Sequence, residues 1–325
     1  MNLLGIVGKL GLGCCVFLLL ACQGEKPEVA RSNEEVVISD SVWSGIGFGI
    51  PMSMELYGVT EAQYDHLSRY VENEVQILES VASLYSHTSE LSRLNDQREL
   101  LGPSKEFLEV LMVARELEGR TQGYFQPAIH AAWVALEEGR PEADVKALLV
   151  GASMDALEVG EQRVSLKKHK TSLSFNAFIQ GYLTDRVAQE ARKQGVQSAL
   201  LHLGETYALG KHPEGRAWTL AIMGTVMEGG ETDLVGTVDI EDAGLAVSAH
   251  EASRKLLSPK EGVLQQDCVV AVVSREGAAT ADAFATAFAV APEERWAALF
   301  ESLVEEAGGQ VVIWVENKEV FRASR

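Results

Sequence analysis

Between residues 51 and 57, Met52, Met54 and Leu56 alternate with Ser53 and Glu55, a period of two that predicts a strand with one buried face. The period changes at Thr60. Thr60 and Gln63 have capping-box spacing, and Leu67, Val71, Val75, Leu78, Ala82 and Tyr85 follow at helical steps, the apolar stripe of an amphipathic helix. A second helix is expected over residues 105–118, with Ser104 as N-cap and Gly119 as stop, and a third over 127–136. Short strands are expected at 164–166 and 172–175, then a helix over 178–193 closed by Gly195. Strands follow at 199–203, 218–223, 234–240, 245–248 and 268–274. Helices at 279–290 and 292–306 and a hairpin over 310–322 end the chain. This order has no regular βαβ repeat and no low-complexity linker. It predicts an α+β fold, one domain of mixed sheets flanked by helices.

The first residues follow another pattern. Lys9 precedes an apolar run from Leu10 to Ala21, about 12 residues and too short to cross a hydrocarbon core. A basic start, a short apolar stretch and a small residue are the marks of a secretory signal. Leu19-Leu20-Ala21-Cys22 is similar to a bacterial lipobox, in which the cysteine becomes the first mature residue and is acylated. The expectation is a signal peptide at 1–21, a polar tether at 22–36 and one domain at 37–325, held at the periplasmic face of a membrane by lipid on Cys22. Gln23, where an aspartate would favour the inner membrane, leans toward the outer one.

Composition narrows the ligand. The chain has 325 residues, 46% of them hydrophobic, and a formal net charge of −19. That charge argues against nucleic acid, whose phosphates need a basic surface. A phosphate-bearing ligand would need a metal ion or helix N-termini instead. Beyond Cys22 the only cysteine is Cys268, in an apolar run that reads as core.

Three segments carry candidate chemistry. Asn176 to Tyr182 joins a strand to a helix N-terminus, where free N–H groups and the positive dipole end suit an anion. Asp282 and Thr286 lie four apart on one helix face, so a carboxylate and a hydroxyl could share a hard cation such as Mg²⁺. The same spacing fits an aspartate cap and a packed threonine. Gly204 before Glu205 and Thr206 permits a ligand's close approach or simply a bend.

Taken in order, the segments resemble the ApbE family, the FAD:protein FMN transferases. The likeness runs through Phe48-Gly49-Ile50 and Glu55 to Gly58, then Ser83-Leu84-Tyr85 with Ser89 to Asn95. It continues in Gly123-Tyr124-Phe125-Gln126-Pro127 with Trp133, where the family usually has Asp in place of Gln126. Phe175-Asn176-Ala177 to Gln180-Gly181-Tyr182 with Asp185, His202 to Gly210, and Ala281 to Ala287 complete it. Gln180 in place of Lys, and Gly-Glu-Thr in place of Gly-Gly-Asp, are similar to a NosX-like branch near the accessory proteins of nitrous-oxide reduction. The resemblance implies a T-fold-like α+β domain that splits FAD, moves FMN to a Thr or Ser hydroxyl of a target protein and releases AMP. It implies Mg²⁺ held by Asp282, Thr286 and the carbonyl of Ala177, and Tyr85 against the isoalloxazine. Asn176, Gln180, Asp185 and Glu205 would belong to the FAD region. The partner implied is a periplasmic or membrane-attached redox protein.

One departure stands out. The family's base is a histidine before an Asp-Pro. Here Ser253 to Pro259 matches that stretch, with Lys255 at the histidine position and Ser258 for the aspartate. An ordinary lysine is protonated at neutral pH and is no base. His250 is the nearby substitute. Two other outcomes therefore stay open: a flavin-binding or assembly protein without catalysis, and an FAD pyrophosphatase.

Overall fold

The computed structural model describes residues 37–168, 170–226, 232–250, 255–265 and 267–325. The expected signal peptide, the lipid-bearing Cys22 and the tether lie outside these. The chain begins with β1 (Val37–Gly47), β2 (Ile50–Thr60), α1 (Glu61–Ala82), α2 (Glu90–Gln97), β3 (Glu99–Leu101), α3 (Lys105–Arg120), α4 (His130–Glu137) and α5 (Glu142–Leu149). It continues with β4 (Leu157–Gly160), β5 (Arg163–Leu166), α6 (Ile179–Lys193), β6 (Ser198–His202), β7 (Thr206–Leu209), β8 (Trp218–Val226), β9 (Thr232–Ile240) and β10 (Ala243–His250). The last elements are β11 (Leu256–Ser258), β12 (Gly262–Leu264), β13 (Cys268–Ser274), α7 (Ala278–Val290), α8 (Trp296–Leu303), β14 (Gly309–Val315) and β15 (Lys318–Ser324).

Eight strands form one sheet in the order β1-β2-β6-β7-β10-β13-β14-β15. The α+β class holds, and where mixed sheets were expected every pairing within the described sheets is antiparallel. Successive side chains on a strand point to opposite faces, and here both faces are covered. Cys268, Val270 and Val272 of β13, with Val311 and Ile313 of β14, join the main core under the helices. Their neighbours Val269, Ala271, Val273, Val312 and Trp314 join a second core with Trp218, Ile222, Val238 and Ile240 of the β8–β9 hairpin. Double coverage explains why β13 reads as an uninterrupted apolar run.

The Thr60–Gln63 capping box is present, both bonds made, and Ser104 caps α3 through the N–H of Phe107. Gly119 does not stop α3. The turn comes at Gln122 and Gly123, both with positive φ. The 172–175 segment is not a strand. Its groups are taken instead by the Asn95 side chain, which bonds both the N–H and the carbonyl of Leu173, by Pro127 and by His130. The expected 292–306 helix shrinks to α8 after a short 3₁₀ turn at Glu293–Arg295. β1, α2, β3, α5, β4, β7 and the β11–β12 hairpin went unpredicted.

Candidate active site

The site is built around two helices that cross at close range. α7 has the sequence AATADAFATAFAV, apolar all round and buried along almost its whole length, so it runs through the core rather than over it. Phe284 and Phe288 are fully buried, each worth about 1.5–3 kcal/mol by removal from water. α6 meets α7 at Gly181, where an added Cβ would lie 2.5 Å from the Ala278 carbonyl oxygen. Only glycine allows this approach.

Asp282 is the single ionisable group on α7 and is 8% exposed. It does not cap the helix. Gly277 occupies the cap position, and Asp282 lies in the second turn. Burial pushes its carboxyl well above the ordinary range. The half-buried Glu205 is pushed up too, first by burial and then by the charge of Asp282 beside it. Among the described residues neither carboxylate has an ion-pair partner or a hydrogen-bond donor.

The neighbouring acceptors are equally unengaged. Thr286 is half-buried, and its hydroxyl makes no bond among the described residues. The comparable Thr184 on α6 donates instead to the carbonyl of Gln180 at 2.8 Å. At the head of α6, Phe178 and Ile179 donate to Phe175, and Tyr182 to Phe178. Among the described residues no N–H reaches the carbonyl of Ala177. Asn176 is exposed in that turn. Gln180 lies over Gly204, whose φ of 105° and missing Cβ leave room for the amide. That contact fixes the 204–205 loop against α6 and brings Glu205 to the same end of the helix pair.

Asp185, expected in the FAD region, is engaged at the start of α7. Its carboxylate accepts from the N–H groups of Ala278 and Ala279, at 2.6 and 2.9 Å, at the start of α7. Tyr85 lies off the α1 stripe, in the loop after that helix, with 77% of its surface exposed. The loop is stitched by Ser83. Its hydroxyl accepts from Tyr85 and Ser86, and its carbonyl accepts from the hydroxyls of Ser89 and Ser92. Gln126 is buried and donates to Glu118, which also accepts from the Met154 N–H. An amide there donates where an aspartate would face Glu118 charge against charge.

The two candidate bases sit apart from the acidic pair in character. Lys255 is exposed and ion-paired to Glu142 of α5 at 3.8 Å. Ser258 is buried, and its hydroxyl accepts from Glu261 to close the β11–β12 turn. His250 ends β10, and burial drives its imidazole down to about 4, holding the ring neutral. Two surface clefts are lined elsewhere, one by Trp43, Glu72 and Glu79, the other by Glu109, Met112 and Tyr182.

Residues 48–309 match the model of the ApbE family. The chain belongs to the ApbE family. Among similar ApbE-type proteins, a FAD:protein FMN transferase of Haemophilus influenzae is 26% identical over 243 residues, 66% of this chain and 69% of the relative. One of Rhodobacter capsulatus is 29% identical over 213 residues, 58% of this chain but 39% of that longer protein. The fold is similar to that of the flavin transferase ApbE from Vibrio cholerae, with a TM-score of 0.71 at 19% identity, covering 88% of this chain and 97% of the other. The ApbE protein of Thermotoga maritima gives 0.72 at 15% identity with the same coverage.

The oxygen groups on these two helices suit a hard cation. Among the described residues no three His, Cys, Asp or Glu side chains gather as a metal cluster. One buried carboxylate, an unbonded hydroxyl and an unbonded carbonyl nevertheless make an all-oxygen donor set suited to Mg²⁺. The Asp282–Glu205 pair supplies the reason for a cation, since a buried carboxyl and a half-buried one beside it oppose each other's ionisation.

Proposed function

We propose that this chain transfers FMN from FAD to a Thr or Ser hydroxyl of a target protein and releases AMP, with Mg²⁺ at Asp282, Thr286 and the carbonyl of Ala177. The observation that carries this reading is that α6 and α7 meet at Gly181 and Ala278, with the Ala177 carbonyl just before α6 and the Asp282 carboxyl and Thr286 hydroxyl on α7 all without a bonding partner among the described residues, inside an acidic chain of the ApbE family. When bound, the cation supplies charge neutralisation and Lewis-acid polarisation to a pyrophosphate. The chain's own groups do the rest. The head of α6 turns N–H groups and its dipole toward an anion, Tyr85 offers an exposed aromatic face to the flavin ring, and Gln180 and Asn176 line the same end. In the transfer, the acceptor oxygen bonds to the FMN phosphorus, the bond to AMP breaks, and the hydroxyl proton leaves to a base.

The base is where a second reading gains support. Lys255 is drawn outward to Glu142, and an ammonium group has no lone pair to accept a proton. That favours FAD binding without transfer. Lipid anchoring at Cys22, a periplasmic site of action and a redox protein as acceptor belong to the proposal as well, on the signal-like pattern of residues 1–22. A tether would raise the local concentration of enzyme near membrane-attached acceptors.

The deciding experiment mixes the purified chain with FAD, Mg²⁺ and an acceptor carrying the target threonine, followed by intact-mass spectrometry. A gain of one FMN on the acceptor supports the transferase. FAD binding with no gain, under conditions where the Vibrio cholerae enzyme labels the same acceptor, sinks it in favour of the second reading. AMP and free FMN without labelling identify a pyrophosphatase.

A further inference from the structure

The proposed cation site draws its donors from two helices: Ala177 precedes α6, and Asp282 and Thr286 ride on α7. The site's shape therefore depends on what sets the spacing between those helices. α7 has no side chain of its own to cap it, because its N-cap is Gly277. The first N–H groups of a helix must find acceptors elsewhere, and here the Ala278 and Ala279 N–H groups are both bonded by the carboxylate of Asp185, in the second turn of α6. Gly277 is shaped for this. Its φ is 150°, and an added Cβ would lie 2.4 Å from an Asp185 oxygen. Four residues before Asp185, Gly181 presses its bare backbone onto Ala278. The contact joins positions 93 residues apart, so nothing local in either helix substitutes for it.

We infer that Asp185 is a positioning residue: by capping α7 from α6 it sets the distance between the Ala177 carbonyl and the Asp282–Thr286 pair, and so the affinity of the cation site. Both of its oxygens accept from α7. A carboxylate also complements the positive end of the α7 dipole. Outer-shell partners of this kind cost about 10–100-fold in metal affinity when removed. This inference rests on the Mg²⁺ assignment made above.

The test titrates Mg²⁺ calorimetrically into the full chain as wild type, Asp185→Ala, Asp185→Asn and Thr60→Ala. The last removes the α1 cap, outside the site, as a control for general loosening. All are measured well below their melting temperatures, and FAD affinity without Mg²⁺ is recorded in parallel. The expected result is Mg²⁺ binding weakened about tenfold or more in Asp185→Ala, less in Asp185→Asn, which keeps one acceptor, and unchanged in Thr60→Ala. Should Asp185→Ala fail to fold, the Asp185→Asn chain decides by the same comparison. Mg²⁺ affinity within twofold of wild type, an equal loss in Thr60→Ala, or a loss confined to FAD affinity overturns the inference. No Mg²⁺ binding by the wild type, with or without FAD, overturns the cation assignment itself, and the inference with it.

Discussion

Asp282 is an aspartate in a helix of alanine and phenylalanine, and its carboxylate costs free energy there until a cation arrives. The sign follows from its raised pKa. Above the ordinary value of 3.8, the unfolded chain has lost this proton while the folded chain still holds it, so stability falls as pH rises through that window. Asp282→Asn should therefore raise the metal-free melting temperature, by on the order of 5 °C at pH 8 and less at pH 5. Added Mg²⁺ should stabilise the wild type at pH 8 and leave Asp282→Asn unchanged, as read by scanning fluorimetry. Lys255 makes the opposite case. An exposed side chain paired across 3.8 Å to a half-exposed glutamate should matter little, and Lys255→Ala should keep any flavin transfer within about threefold. A loss of 100-fold in an FMN-transfer time course would make Lys255 part of the chemistry. At this scale the sequence was legible in part. Asp282 and Thr286 stood out by spacing, but their lack of bonding partners among the described residues did not, since that depends on what surrounds α7 in space. Asp185 was placed near FAD by resemblance, and its actual partners lie 93 residues away.

Among elements, the capped starts of α1 and α3 came through intact, while α2, capped by Ser89 through the Ser92 N–H, went unpredicted. α1 and α3 begin where Thr60 and Ser104 predict, because a cap bond is local and has the same partner in any fold. Helix ends were less legible: Gly119 looked like a stop, but α3 runs to Arg120, and the chain turns away at Gln122 and Gly123, both with positive φ. The 172–175 segment looked like a strand because Leu173 and Phe175 alternate with Ser172 and Ser174, yet its backbone bonds are satisfied by Asn95 and Pro127. Those same bonds pin the approach to the Asn176–Phe178 turn, so the segment serves the site without belonging to a sheet. The α6–α7 crossing yields a prediction at this scale. Gly181→Ala would drive a methyl against the Ala278 carbonyl and should cost about 1–3 kcal/mol, visible as a lower urea midpoint with an unchanged slope.

For the molecule as a whole, the eight-stranded sheet has two covered faces, and the covers differ. Helices α1, α3, α6 and α7 lie over one face, and the β8–β9 hairpin covers the other. Replacing residues 218–240 by a short turn would expose Ala271, Val273, Val312 and Trp314 as a contiguous apolar patch. The shortened chain should bind a hydrophobic dye and self-associate in sedimentation, while retaining most of its helical circular dichroism. A monomeric, dye-negative product would mean that the helical face alone stabilises the sheet.

The sequence by itself determined the strand and helix periods, the capped helix starts, the class of fold and the family, because each rests on neighbours in the chain or on motifs in fixed order. Only the tertiary structure decided that Asp282 is buried with no partner among the described residues, that Glu205 stands beside it, that Asp185 caps a helix other than its own and that Lys255 is paired at the surface. Each of these is a contact between residues far apart in the chain, and burial and long-range pairing are properties of the packed whole.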